Sequence, residues 1–144
     1  MSEEGQEKKA LPPPCALALI VCDAIWRDLW TGKRTIIGCF WAVVAPKFPV
    51  VHPAMAVYVV LTGGHGTTAL TVRLVDTDEE RAPVFELKAD VAWPDPRVVM
   101  ELDFAAGNVT FPAPGEYRLQ VWSGADFLIE RRIVVMSSGG ATDP

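Results

Sequence analysis

Two histidines, His52 and His65, are the chain's whole supply of imidazole, and both stand in stretches broken by proline or glycine. General acid–base chemistry needs such a ring within hydrogen-bond reach of a nucleophile or a carboxylate. Neither a Ser-His-Asp order nor a nucleophile elbow accompanies them, so hydrolase chemistry has no support. His52 is read as a structural side chain in a loop, its ring nitrogen bonding a backbone carbonyl. Zinc fares no better, for want of a CxxC pair or two histidines at ligand spacing. Gly63-Gly64-His65-Gly66 is followed by no helix pattern that would present its amides to a phosphate, and it reads as a flexible hairpin loop. No catalytic residue and no cofactor is assigned.

Carboxylates offer more. The acidic turn Asp76, Asp78, Glu79 and Glu80 is the best metal candidate, since calcium takes several hard oxygen ligands from one loop. The same residues would also solvate a turn between strands, and a second ligand loop at that end of the molecule is needed to complete a calcium site. Asp23 lies in the most apolar run, where a buried carboxylate requires a partner. Lys33 or Arg34 beyond the next turn, or backbone amides, are the candidates for a structural pair. Three cysteines, in or beside strand-like runs, fit reduced thiols better than a disulfide framework, although Cys22 and Cys39 could face each other as a redox pair.

The aromatic residues point to an interaction surface. Trp26, Leu29 and Trp30 fall in an irregular connection, and Trp122 takes the outward register of a strand whose Tyr117, Leu119 and Val121 point in. A contiguous exposed patch of such residues would mark a partner site. The plainer reading is that the tryptophans cap the open end of the fold.

These groups must be positioned by strands. Gly115 to Ser123 and Asp126 to Val135 alternate apolar and polar residues around a turn at Gly124, the pattern of a hairpin with one wet face. In the second strand Phe127, Ile129, Ile133 and Val135 share a register that brings Arg131 inward, which requires a bulge or a partner for Arg131. Further strands are expected at Ala16 to Ile25, Thr35 to Val44, Met55 to Thr62, Thr67 to Asp76, Val84 to Trp93 and Arg97 to Ala105. Pro46, Pro49 and Pro53 are expected to forbid pairing before Met55, Gly38 to mark a bulge or close backbone approach, and Ala106 to Pro114 to form a loop. About eight strands and no normal helix define an all-β antiparallel sandwich, with an immunoglobulin-like Greek key expected ahead of a jelly roll. Residues 15–136 form one domain, with a disordered tail at 1–14 and a flexible one at 137–144.

At 144 residues the chain can bury close to about 70% of its unfolded surface and needs no metal or disulfide to fold. Its net charge of -5, with lysines and arginines scattered, argues against nucleic acid and anionic membranes. No apolar run reaches the roughly 18 residues of a membrane span. Three prolines ahead of Ala16 and the lack of a small-residue cleavage site argue against a signal peptide, and the expected location is the cytoplasm.

The stretch from Cys22-Asp23 through Asp28, with Thr31-Gly32-Lys33, Gly38 to Phe40, Phe48-Pro49, His52-Pro53 and the run to Thr62-Gly63-Gly64, resembles an uncharacterised bacterial family of small β-sandwich proteins. Pro114-Gly115-Glu116-Tyr117 looks like that family too, and the resemblance spans roughly Leu17 to Val135. It implies a compact β domain and brings no activity, substrate or cofactor. The closing hairpin is also similar to the last strands of immunoglobulin-like domains. The expected function is a non-enzymatic protein-binding or assembly module, engaging a protein partner or a second copy through an exposed sheet face or edge strand. The alternative is a small-ligand or calcium-binding sandwich that uses loops at one end.

Overall fold

The computed structural model describes residues 11–77 and 81–138. Nine strands follow one another: β1 (Cys15–Arg27), β2 (Arg34–Cys39), β3 (Ala42–Ala45), β4 (Val50–Thr62), β5 (Thr67–Asp76), β6 (Phe85–Ala92), β7 (Val99–Phe111), β8 (Gly115–Ser123) and β9 (Asp126–Ser137). They form a four-stranded sheet in the order β2-β1-β4-β7 and a five-stranded sheet in the order β3-β9-β8-β5-β6. Every pairing is antiparallel except β3 with β9, which run parallel from Ala42↔Val134 to Ala45↔Ser137.

Alternation explains the layers. Met55, Val57, Val59 and Leu61 on β4 face Leu70, Val72 and Leu74 on β5 and Leu119 and Val121 on β8, all essentially inaccessible to water. Each fully buried Leu or Val of this kind contributes roughly 2 kcal/mol of transfer free energy. At one end Tyr117, buried edge-on against Phe111, donates its hydroxyl to the Ala113 carbonyl at 2.6 Å. A tyrosine at the start of this strand, bonded to the backbone just upstream, is the tyrosine corner of immunoglobulin-like sandwiches. Together with the strand order, it makes the topology an immunoglobulin-like Greek key, with β2 added outside the first strand.

Several expected boundaries move. Thr35 to Val44 is two strands in two sheets, because the chain leaves β1 after Cys39 and joins β9 at Ala42. Gly63 to Gly66 joins no hairpin: β4 and β5 lie in different sheets, and the glycines carry the chain across the sandwich. Gly64 is where the Trp93 ring packs, and a Cβ there would lie 1.9 Å from it. The Trp93 indole donates to Thr68 Oγ1 at 2.9 Å, and the crossover backbone is tied to Pro96 and Trp93.

β4 begins at Val50 despite Pro53, since this part of β4 pairs only with β7; β1 joins β4 no nearer than Ala56, so the proline's missing N–H disturbs no second ladder. β7 continues through Gly107 and Asn108 to Phe111 in unbroken register with β4, but its inward face changes on the way: Met100, Leu102, Phe104 and Ala106 pack inward before Gly107, Val109 and Phe111 after Asn108, whose φ is +51°. On β1 a register shift between Ala16 and Ala18 turns Leu17 out to solvent, where it is half exposed. On β9 a bulge at Leu128 separates Val121↔Ile129 from Trp122↔Phe127. Phe127 is thereby moved off the inward register and onto the outer face.

Candidate interaction surface

β1 and β2 form a hairpin that outruns its pairing with β4, because β1 is bonded to β4 only as far as Cys22↔Ala56 while the hairpin continues to Arg27↔Arg34. At its base Gly38 lies against Asp23: a Cβ would come 2.4 Å from Asp23 Oδ2, and the positive φ of 71° also favours glycine. The close approach expected at Gly38 is thus made to a side chain.

Beyond that point the faces of the hairpin differ. Ile25, Arg34 and Ile36 are half-buried, whereas Trp26 and Ile37, diagonal neighbours on the other face, are about half exposed. Arg34 reaches across β4 to the far edge strand. Its Nε donates to Asp103 Oδ1 at 2.6 Å, Nη1 to Glu101 Oε1 at 2.9 Å and Nη2 to the Glu101 carbonyl at 3.1 Å. Its side chain is only 9% exposed. Tyr58, on β4 between them, donates its hydroxyl to the other Glu101 oxygen. Burial, then that hydrogen bond and the Glu101 charge, push the Tyr58 hydroxyl up to about 12. Arg27 adds a longer contact to Asp103 at 4.0 Å.

The tip is held from within. Asp28 Oδ2 accepts from the Trp30 N–H at 3.1 Å, the Thr31 N–H at 2.7 Å and the Thr31 hydroxyl at 2.8 Å. Those bonds, with Thr31's first, hold the Asp28 carboxyl below its usual range. Backbone bonds from Asp28 N to Lys33 O and from Gly32 N to Asp28 O close the turn. Leu29 and Trp30, inside this pinned turn, are 93% and 94% exposed.

The expected site residues are thus partly reunited. Trp26, Leu29 and Trp30 share the hairpin, with Trp26 on β1 itself and not in an irregular connection. They cap nothing, since their side chains face solvent. Trp122 is outward as expected but belongs to the other sheet. It packs edge-on against Phe127 at 5.5 Å, lies 5.8 Å from the Arg73 guanidinium and donates to Gln120 Oε1. One patch of all four is therefore excluded.

The pair expected for Asp23 is not formed with Lys33 or Arg34. Asp23 is 62% exposed and lies 4.0 Å from His52 Nε2, because the strand run that carries it leaves the core at the hairpin bend. His52 stands on β4, not in a loop, with its ring against Phe40 at 5.3 Å. Lys33 contributes its backbone carbonyl to the turn. Of the bulge or partner expected for Arg131, the structure supplies the partner: Arg131 keeps the inward register opposite Leu119 and its Nη1 donates to the Leu19 carbonyl at 2.9 Å, while the β9 bulge displaces Phe127 instead. Of the calcium candidates, Asp78, Glu79 and Glu80 lie outside the described residues. Asp76 is half-buried, with Arg81 Nη1 at 3.5 Å. Among the described residues no three His, Cys, Asp or Glu side chains come close enough to share a metal, and no helix is long and apolar enough to cross a membrane.

The set that sequence reasoning missed is Arg34 with Tyr58, Glu101 and Asp103. Glu101 and Asp103 share one face of their strand, a visible signal, but their partner is 67 to 69 residues away.

The fold and this surface define a class: an immunoglobulin-like β-sandwich that projects a pinned aromatic hairpin from its first sheet. Residues 17–136 match the family of unknown function DUF6941, and the chain belongs to that family. No curated protein matches it. Among solved structures it is similar to an immunoglobulin-like protein from Pseudomonas aeruginosa, at 18% identity over 88% of this chain and 99% of that one, with a TM-score of 0.44.

Proposed function

We propose that this protein is a non-enzymatic, cytoplasmic binding module that engages a protein partner through the tip of the β1–β2 hairpin. The observation that carries the reading is the near-complete exposure of Leu29 and Trp30 on a turn whose backbone is already fixed by Asp28. A solvent-facing Leu-Trp pair gains nothing for the folded chain by itself. In a complex it supplies a large apolar area, and a turn ordered beforehand lowers the entropy lost on docking. The Arg34 bonds to Glu101 and Asp103 support the hairpin behind the tip.

The test is quantitative capture from the native cell with the wild-type chain and with a Leu29→Ala, Trp30→Ala double variant of unchanged melting temperature. A partner retained by the first and lost by the second supports the reading. Identical recoveries from the two, with both chains monomeric by light scattering, would overturn it.

A further inference from the structure

We propose that Cys22 and Cys39 form a dithiol site for exchange with small disulfides that carry carboxylates, closing to a cross-strand disulfide at the base of the β1–β2 hairpin. The two residues are direct register partners on β1 and β2. Opposed residues of an antiparallel pair have Cα atoms about 4.5 to 5.5 Å apart, inside the range a disulfide spans. Both thiols are free, and they divide the work by accessibility: Cys39 is exposed and Cys22 fully buried.

Cys39 opens onto a cleft of about 250 Å³ lined by Ile20, Phe40, Trp41 and Arg131. A guanidinium in that lining favours an anionic disulfide beside an accessible sulfur. Cys22 lies on the protein side, where its thiol meets the Ala56 carbonyl at 3.6 Å.

The chemistry balances in two exchanges. Cys39 thiolate attacks one sulfur of the small disulfide, forming a mixed disulfide and expelling one small thiolate. Cys22 thiolate then attacks the Cys39 sulfur, forming the Cys22–Cys39 bond and expelling the second small thiolate, so the dithiol is oxidised by two electrons and the reagent is reduced to two thiols. Cys22 must first lose its proton. Around it stand Cys39 from β2, Asp23 beside it on β1 with His52 of β4 behind, and from β4 the Ala56 backbone. Burial first, then the charges of Cys39 and Asp23, raise its thiol. Fewer thiolates at neutral pH make the second exchange the slow one.

The experiment uses the full chain with Cys15→Ser, which leaves the core untouched, and oxidised glutathione as the probe. Intact mass should show one glutathionyl adduct giving way to a protein lighter by two hydrogens, with conversion about tenfold faster per pH unit between about pH 7 and about pH 8.5. Peptide mapping should then find Cys22 joined to Cys39. Cys22→Ala should stop at the adduct. Arg131→Gln should slow adduct formation several-fold with oxidised glutathione but not with uncharged hydroxyethyl disulfide. A lasting adduct on Cys39, no reaction, or disulfides only between chains would each overturn the dithiol site. Equal slowing with both reagents would overturn the role given to Arg131.

Discussion

Arg34 and Asp103 stand on the two edge strands of one sheet, β2 and β7, and yet meet at 2.6 Å. The contact spans the face of β4 and folds the first hairpin against its own sheet. Removing the guanidinium leaves two carboxylates and a tyrosine hydroxyl around an unfilled position. Arg34→Ala should cost about 2 kcal/mol in urea denaturation, and Arg34→Lys should recover only part, because an ammonium cannot bond Asp103, Glu101 and the Glu101 carbonyl in one plane.

Tyr58 makes the same cluster sensitive to alkali. Its folded-state value of about 12 lies above that of an unfolded tyrosine, so its contribution is complete below about pH 10 and is lost as pH rises towards 12. Phenolate absorbance should show a transition near 12 that Tyr58→Phe lacks. Between those pH values the wild type should lose stability more steeply than the variant.

Trp30→Ala should leave the melting temperature within a few degrees of wild type, as befits an exposed side chain, while reducing partner affinity by about tenfold or more in a titration. Asp28→Ala tests the turn apart from the anchor. It keeps Leu29 and Trp30 but frees the backbone amides of Trp30 and Thr31, and hydrogen exchange at those amides should accelerate before any global unfolding. In the wild type the same protection should fade in acid, as pH falls through the lowered Asp28 value.

Gly64→Ala should destabilise the protein by about 3 kcal/mol, since the new methyl would be driven into the Trp93 ring, which is held by its bond to Thr68. Gly124→Ala, where a Cβ meets nothing within 4 Å and only the positive φ opposes it, should cost about 1 kcal/mol. Thermal melts of the two variants check the order.

Much of the architecture was legible wherever alternation was regular. Tyr117, Leu119 and Val121 read as inward and are buried, and the closing hairpin around Gly124 is present. Alternation, however, assigns a face and says nothing of a neighbour. It could not tell that Thr35 to Val44 changes sheets at Phe40, or that the glycines after Thr62 cross the sandwich. Asp23 was misjudged because its apolar surroundings in sequence end, in space, at a hairpin bend. Trp26, Leu29 and Trp30 were legible as candidates, and Arg34 as a candidate for a structural pair, but its partners Glu101 and Asp103 were not, because they come from another part of the chain.

The parallel pairing of β3 with β9, reinforced by the Arg131 bond to Leu19 over 112 residues, also governs assembly in time. Closing so wide a loop is entropically costly before any packing compensates for it, which places the domain among slow folders, on the scale of milliseconds to seconds. During synthesis the apolar face of β4 can be covered by β5 and β8, whereas β1 and β3 wait for β9. Completion is therefore set by the arrival of β9, and the nascent chain is the form most exposed to aggregation.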